Sequence, residues 1–146
     1  MKMEKWTRVF LEKQRVARLA TVDRQNRPHI VPIVYAFDGE RLYTPIDNKP
    51  KRVNAHQLRR VRNIQANPQV MVLVDRYSAN WRRLVWVQLR GAAKLVESGP
   101  DTMAGISFLE AKYPQYAELP LTGRPIIVVR VENVVSWRAA GARDNS

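Results

Sequence analysis

The sequence contains no cysteine, which excludes a disulfide framework, a thiolate nucleophile and any cysteine-ligated zinc. Histidine is nearly as scarce. His29 and His56 are the two present, and neither has a second histidine at metal-ligand spacing, so no metal centre is expected. No apolar run approaches the length that spans a bilayer, and the opening MKMEKWTRVFLEK is too polar for a signal peptide, so a cytoplasmic location is expected. The chain lacks G-x-S-x-G, which removes the usual hydrolase elbow. It also lacks the Walker A and dinucleotide-binding glycine patterns, and GAAKL at Gly91 carries too few glycines to bring backbone against a phosphate. Acids are few: 13 Asp and Glu stand against 25 Lys and Arg, a formal net charge of +12. Such a field attracts nucleic acid, anionic lipid or a small polyanion and does not choose among them.

What is present fits one domain over residues 1–146, long enough to bury a core without disulfides or metal. Trp6, Val9 and Phe10 at helical spacing predict an amphipathic helix over about 3–13 that covers one end of a barrel. The following β-rich run is broken by DRQNRP and DG, the marks of two hairpins, and predicts strands near Val16–Val22, His29–Phe37 and Arg41–Ile46. Pro32 interrupts the second and predicts an edge position or a bulge, since proline cannot donate to a ladder. Arg52–Ala66 keeps a helical period and stops at Asn67–Pro68. QVMVLVD and LVWVQLRGAAKLVE read as strands around the loop RYSANWRR, with Gly91 marking a bulge or a ligand's close approach. A helix ending before Pro114, a last long strand to Trp137 and a frayed tail over about 139–146 complete the chain. About six antiparallel strands with peripheral helices and short connections predict a mainly β, closed or partly closed antiparallel barrel.

The charge is not spread evenly. Between Asn48 and Val74 stand Lys49, Lys51, Arg52, Arg59, Arg60 and Arg62, with no Asp or Glu among them. With no nucleophile or acid-base set in view, an enzyme of this sequence would need a bound cofactor to carry the chemistry. The basic cluster offers that cofactor's phosphate a place. Nucleic acid is the less favoured partner, because no aromatic residues interleave with the basic run as on single-strand platforms.

Hairpin strands, then YTPIDNKPK, then LRRVRNIQANPQVMVLVD, then a tryptophan and LVWVQLRGAAKLVE resemble the pyridoxamine-phosphate-oxidase-like split β-barrel proteins. Within them the likeness is to the small branch of probable coenzyme F420 (deazaflavin) dependent enzymes. It runs from Val16 to Trp137. Its most specific piece is DNKPK leading into RNIQANP and VDRYSANW, with YPQY in support. The resemblance implies a homodimer with the cofactor in a groove at the interface, its ring against strand backbone and its phosphate on basic residues after the third strand. Position by position, it gives Lys49, Lys51 and Arg60 to the phosphate. It gives Val31, Pro32, Ile33, Thr44, Pro45 and Ile46 to the ring and ribityl chain, and Trp81 to a loop aromatic that closes over them, with Trp86 as a substitute.

The activity it implies is hydride transfer between reduced deazaflavin and a small conjugated or heteroaromatic acceptor. No catalytic acid is assigned; Tyr35 and Lys49 are the candidates. Flavin mononucleotide in the same fold is the alternative cofactor. The commoner flavin pattern has a serine two positions before the phosphate-binding lysine; near that place this chain has Asn48 or Pro50 and no serine. The carboxylate tail of F420 also calls for a wider basic surface, for which Arg52, Arg59 and Arg62 are available. Trp137 serves either as an interface anchor or as an ordinary core residue.

Overall fold

The computed structural model describes residues 2–46 and 54–142. Helix α1 (Lys5–Lys13) buries Thr7, Phe10 and Leu11, an i, i+3, i+4 set that makes one apolar face. Trp6, partly buried, packs against that core and lies under Arg138, whose guanidinium is 4.5 Å from the ring centroid. The next two turns are built by aspartates. Asp23 accepts the backbone N–H of Gln25 at 2.8 Å and of Arg27 at 2.9 Å, closing the hairpin between β1 (Ala17–Val22) and β2 (Pro28–Ile33). Asp38 accepts from Glu40 and Arg41 in the same way and takes the Tyr43 hydroxyl at 2.7 Å, turning β3 (Ala36–Phe37) into β4 (Arg41–Pro45).

The expected strand His29–Phe37 is two strands, which is why there are seven and not six. Helix α2 (Arg59–Ala66) follows a single 3-10 turn at Ala55–Gln57. Then come β5 (Gln69–Arg76), β6 (Val85–Val96), α3 (Pro100–Lys112) and β7 (Ile126–Arg138). All pair antiparallel in one sheet of order β2-β1-β5-β6-β7-β4-β3. β2 and β3 thus form opposite edges, yet the chain joins Ile33 to Ala36 in three steps, a reach of at most about 11 Å. The sheet must therefore curl until its edges stand side by side, giving the mainly β split barrel. Pro32 sits on an edge, as expected of a residue with no N–H to donate.

Tyr113, just past α3, holds the crossing between those edges. Its hydroxyl accepts the Tyr35 N–H at 3.1 Å and lies 2.8 Å from both the Tyr35 and Arg15 carbonyls, which share its one proton. Two cores result. One fills the barrel with Leu11, Leu19, Leu42, Val61, Val72, Leu89 and Val129; the other packs Leu109, Tyr113 and Leu121 of the α3 region on the outer side of β3, β4 and the start of β7. Gly91 marks a bulge: Arg90 pairs with Asn133 and Gly91 with Val131, leaving Glu132 as the extra residue. The close approach there is by the neighbouring strand, because a Cβ on Gly91 would lie 2.2 Å from the Arg130 carbonyl oxygen. Ala139 and Ala142, assigned from sequence to the frayed tail, are held: the Ala139 N–H reaches Leu84 O at 2.9 Å and Ala142 is buried.

Lys112 closes α3 with its ammonium 3.9 Å from the Tyr35 ring centroid and no hydrogen-bond partner among the described residues. Burial, aided by Arg15 and opposed by Glu12, pushes its pKa down to about 8. The unfolded chain binds the proton more tightly, so stability rises as pH climbs from about 8 through the ordinary lysine range, and the full penalty applies below 8. With solvent screening and the lost cation–π contact discounted, Lys112→Met should stabilise by about 1 kcal/mol at pH 7. Urea unfolding should show that gain shrinking towards pH 10.5; a gain constant with pH would make it a packing effect.

Candidate functional site

Alternation along the strands sends one side chain into the barrel and the next outward. α3 covers the outer side of the β3-β4 wing, whereas no described helix packs on the outer side of β2, β1, β5, β6 and the second half of β7. The registers set three cross-strand rows there. Pro32, Arg18, Leu73, Gln88 and Val135 make one; Ile30, Ala20, Met71, Arg90 and Asn133 make the next; Asp75, Trp86 and Trp137 make a third. Ile30 is 62% exposed, Met71 37%, Val135 48% and Trp137 44%. Exposed apolar side chains in adjacent rows of one face make it a candidate interaction surface. Near the third row, Leu73, Tyr77, Trp86 and Trp137 line an open cleft of about 420 Å³.

Of the residues assigned to a cofactor ring, Pro32 alone is on this face. Val31 and Ile33 oppose Leu19 and Ala17 and pack into the barrel core. Thr44, Pro45 and Ile46 are buried, so any contact they make with a ring is through backbone at a strand edge. Trp81 begins a 3-10 turn at Trp81–Arg83 and is 70% exposed, free to fold over a neighbouring surface, while Trp86 pairs with Trp137. Lys49 and Lys51 lie outside the described residues, as does Arg52. Tyr35 is no catalytic acid: it is fully buried and its hydroxyl donates to Leu11 O at 2.5 Å, and burial pushes its pKa far up.

The described cations converge elsewhere as well. Arg24, Arg27, Arg59 and Arg62 line a cleft of about 480 Å³ between the β1–β2 turn and α2. Arg60, on the same helix, is half-buried and outside it. The one acid in the cleft, Asp23, accepts Arg27 Nε at 2.7 Å and lies 4.0 Å from Arg59. Hydrogen bonds from the Arg27 backbone and side chain hold its pKa down at about 2. Arg24 and Arg27 were not among the site residues expected from sequence; the usable signal is two arginines in a hairpin turn that precedes a basic helix. The wall is braced by Asn63, a buried amide that donates to Thr21 Oγ1 at 2.9 Å.

His56 is committed on both ring nitrogens: Gln65 Nε2 stands 2.8 Å from Nδ1 and Glu97 2.8 Å from Nε2. His29, half-buried, opposes Thr21 on the barrel side of β2. Among the described residues, no group of three or more His, Asp or Glu side chains is placed to hold a metal ion. No helix there is long and apolar enough to cross a membrane.

Comparisons with known proteins agree with this architecture. A family model described as pyridoxamine 5'-phosphate oxidase matches residues 3–138. No curated protein is matched. Among solved structures, HutZ, the heme storage protein from Vibrio cholerae, superposes with a TM-score of 0.72 at 19% identity, covering 97% of this chain and 99% of that one. A conserved hypothetical protein from Mycobacterium tuberculosis gives 0.71 at 19% identity over 97% and 88%, and a FAD-binding protein from Mesorhizobium loti 0.68 at 20% over 93% and 94%. At these identities the likeness is one of fold.

Proposed function

Because this chain belongs to the pyridoxamine 5'-phosphate oxidase family, we propose that it is a flavin-type oxidoreductase, with deazaflavin F420 as its cofactor and a homodimer as its working form. The observation that carries this reading is the uncovered outer face, which exposes apolar side chains in each of three adjacent rows beside the Arg18–Asp75 ion pair and is bordered by the edge strand β2. Fit to the group rests on the donor set: a planar ring needs an apolar floor and a strand edge, and its phosphate needs fixed cations. Ile30, Pro32, Met71 and Trp86 supply the first. Lys49 and Lys51, in the segment joining β4 to the turn before α2, supply the second.

A bound deazaflavin or flavin supplies the hydride. The chain's residues orient it and exclude water: lysines grip the phosphate, Trp81 covers the open side, and a second copy completes the groove. DNKPK, with no serine two positions before its lysine, favours deazaflavin over flavin mononucleotide. A heme reading, prompted by relatives of this fold, finds weaker support, since neither histidine offers itself as an axial ligand on the uncovered face. Separate titrations with deazaflavin and flavin mononucleotide, followed by fluorescence quenching, test the assignment. Tighter binding of the flavin reverses the order of cofactors, and binding of neither removes the function.

The dimer is tested on its own. Trp137→Glu puts a charge on the apolar surface of the proposed interface and should weaken self-association by more than 2 kcal/mol, over about 30-fold. Sedimentation at micromolar concentration reads it. A wild-type monomer there counts against the shared groove.

A further inference from the structure

We propose that the arginine cleft between the β1–β2 turn and α2 binds a small polyanion of the phosphate type, with two or more phosphoryl groups, at a site separate from the redox cofactor. Four guanidinium groups line it, Arg24 and Arg27 from the turn and Arg59 and Arg62 from one side of α2. Asp23, the sole acid, is already spent. Its oxygens accept two backbone N–H groups and Arg27 Nε, and it stays ionised to about pH 2, so it neutralises one of the four charges and leaves three. Arg24 and Arg62 have no acidic partner among the described residues.

Guanidinium forks match phosphoryl oxygens two at a time, and several within one cleft select a ligand with several anionic groups over a single ion. The space, about 480 Å³, falls in the range of small-molecule sites. No aromatic side chain lines it, which leaves nothing for a base to stack on and disfavours a nucleic-acid strand.

The walls are preorganised. The buried Asn63 amide ties α2 to Thr21 of β1, and Asp23 holds the turn that carries Arg24 and Arg27, so the two pairs face each other before any ligand arrives. The site is also distinct from ring and ribityl chain: among the described residues, none of those assigned above to ring, ribityl chain or phosphate lines it, and Arg59 and Arg62, available from sequence to a deazaflavin tail, are assigned here to the polyanion instead.

Titration calorimetry of the full chain at low salt, with tripolyphosphate, pyrophosphate and orthophosphate as probes, tests this. Affinity should fall in that order. Arg24→Gln with Arg62→Gln, both exposed positions, should weaken tripolyphosphate binding at least 30-fold with thermal unfolding unchanged, whereas Arg90→Gln with Arg130→Gln should change it less than threefold. Saturating deazaflavin F420, saturating flavin mononucleotide and the Lys49→Ala, Lys51→Ala pair should each leave it intact. Equal losses in the two arginine pairs would reduce the cleft to diffuse surface charge. Displacement by deazaflavin or by flavin, or loss with the lysine pair, would make it part of the cofactor site. No heat with tripolyphosphate would end the proposal. Flavin and deazaflavin titrations run on the same samples, so failure of this cleft and failure of the redox assignment are read separately.

Discussion

Replacing Lys49 and Lys51 together with alanine is expected to weaken cofactor binding by about 2 to 4 kcal/mol, roughly 30- to 1000-fold, while the barrel stays folded. Each lysine is assigned one charge-assisted contact with the phosphate, at about 1 to 2 kcal/mol apiece. The fold should be indifferent, because both lysines stand in the polar stretch DNKPK between β4 and α2 in sequence, and their replacement removes no apolar side chain. The loss should hold for deazaflavin and flavin mononucleotide alike, since both present a phosphate at that point, and it should shrink in high salt only to the extent that the phosphate is exposed. Fluorescence titration of the double variant beside the wild type measures it. Unchanged affinity in a protein of unchanged circular dichroism would move the phosphate to another set of cations, and Arg60, half-buried on α2, would be the next to test.

Gly91→Ala should destabilise the fold by about 3 kcal/mol or more, at the upper end of what overpacking usually costs. The added methyl would lie 2.2 Å from the Arg130 carbonyl oxygen and 3.0 Å from its carbon. Backbone on one side and the paired strand β5 on the other leave β6 little room to retreat, since Gly91 also pairs with Val70. Gly123 serves as the comparison: it has φ +79° and nothing within 4 Å of an added Cβ, so alanine there meets only the left-handed backbone cost of about 1 to 2 kcal/mol. Urea unfolding with an unchanged m-value is the measurement. A Gly91→Ala loss below about 1 kcal/mol would mean that the bulge slides along β7 and that the tight crossing is not what requires glycine.

Local order was legible residue by residue. DRQNRP and DG announced the two hairpins because Asp23 and Asp38 close them with their own side chains, an interaction that spans two to four residues and needs nothing distant. Pro32 announced an edge because a missing N–H is a property of the residue itself. The absence of cysteine and of the familiar catalytic motifs had already narrowed the chemistry to what a bound group could bring. The break at Val34 and Tyr35 could not be read the same way: alternation continues through it, and the chain changes edges there because Tyr113, 78 residues away, captures both backbone groups of Tyr35. Nor could spacing alone bring Arg24 and Arg27 opposite Arg59 and Arg62, since the Asn63–Thr21 bond that brings them together joins residues 42 apart. Local residue chemistry was enough for the turns, the charge and every strand but the one that breaks at Val34 and Tyr35. The tertiary structure alone decided which outer face stays uncovered and which cations meet, because both depend on the curl of the sheet, and curl is set by contacts between residues far apart in the chain.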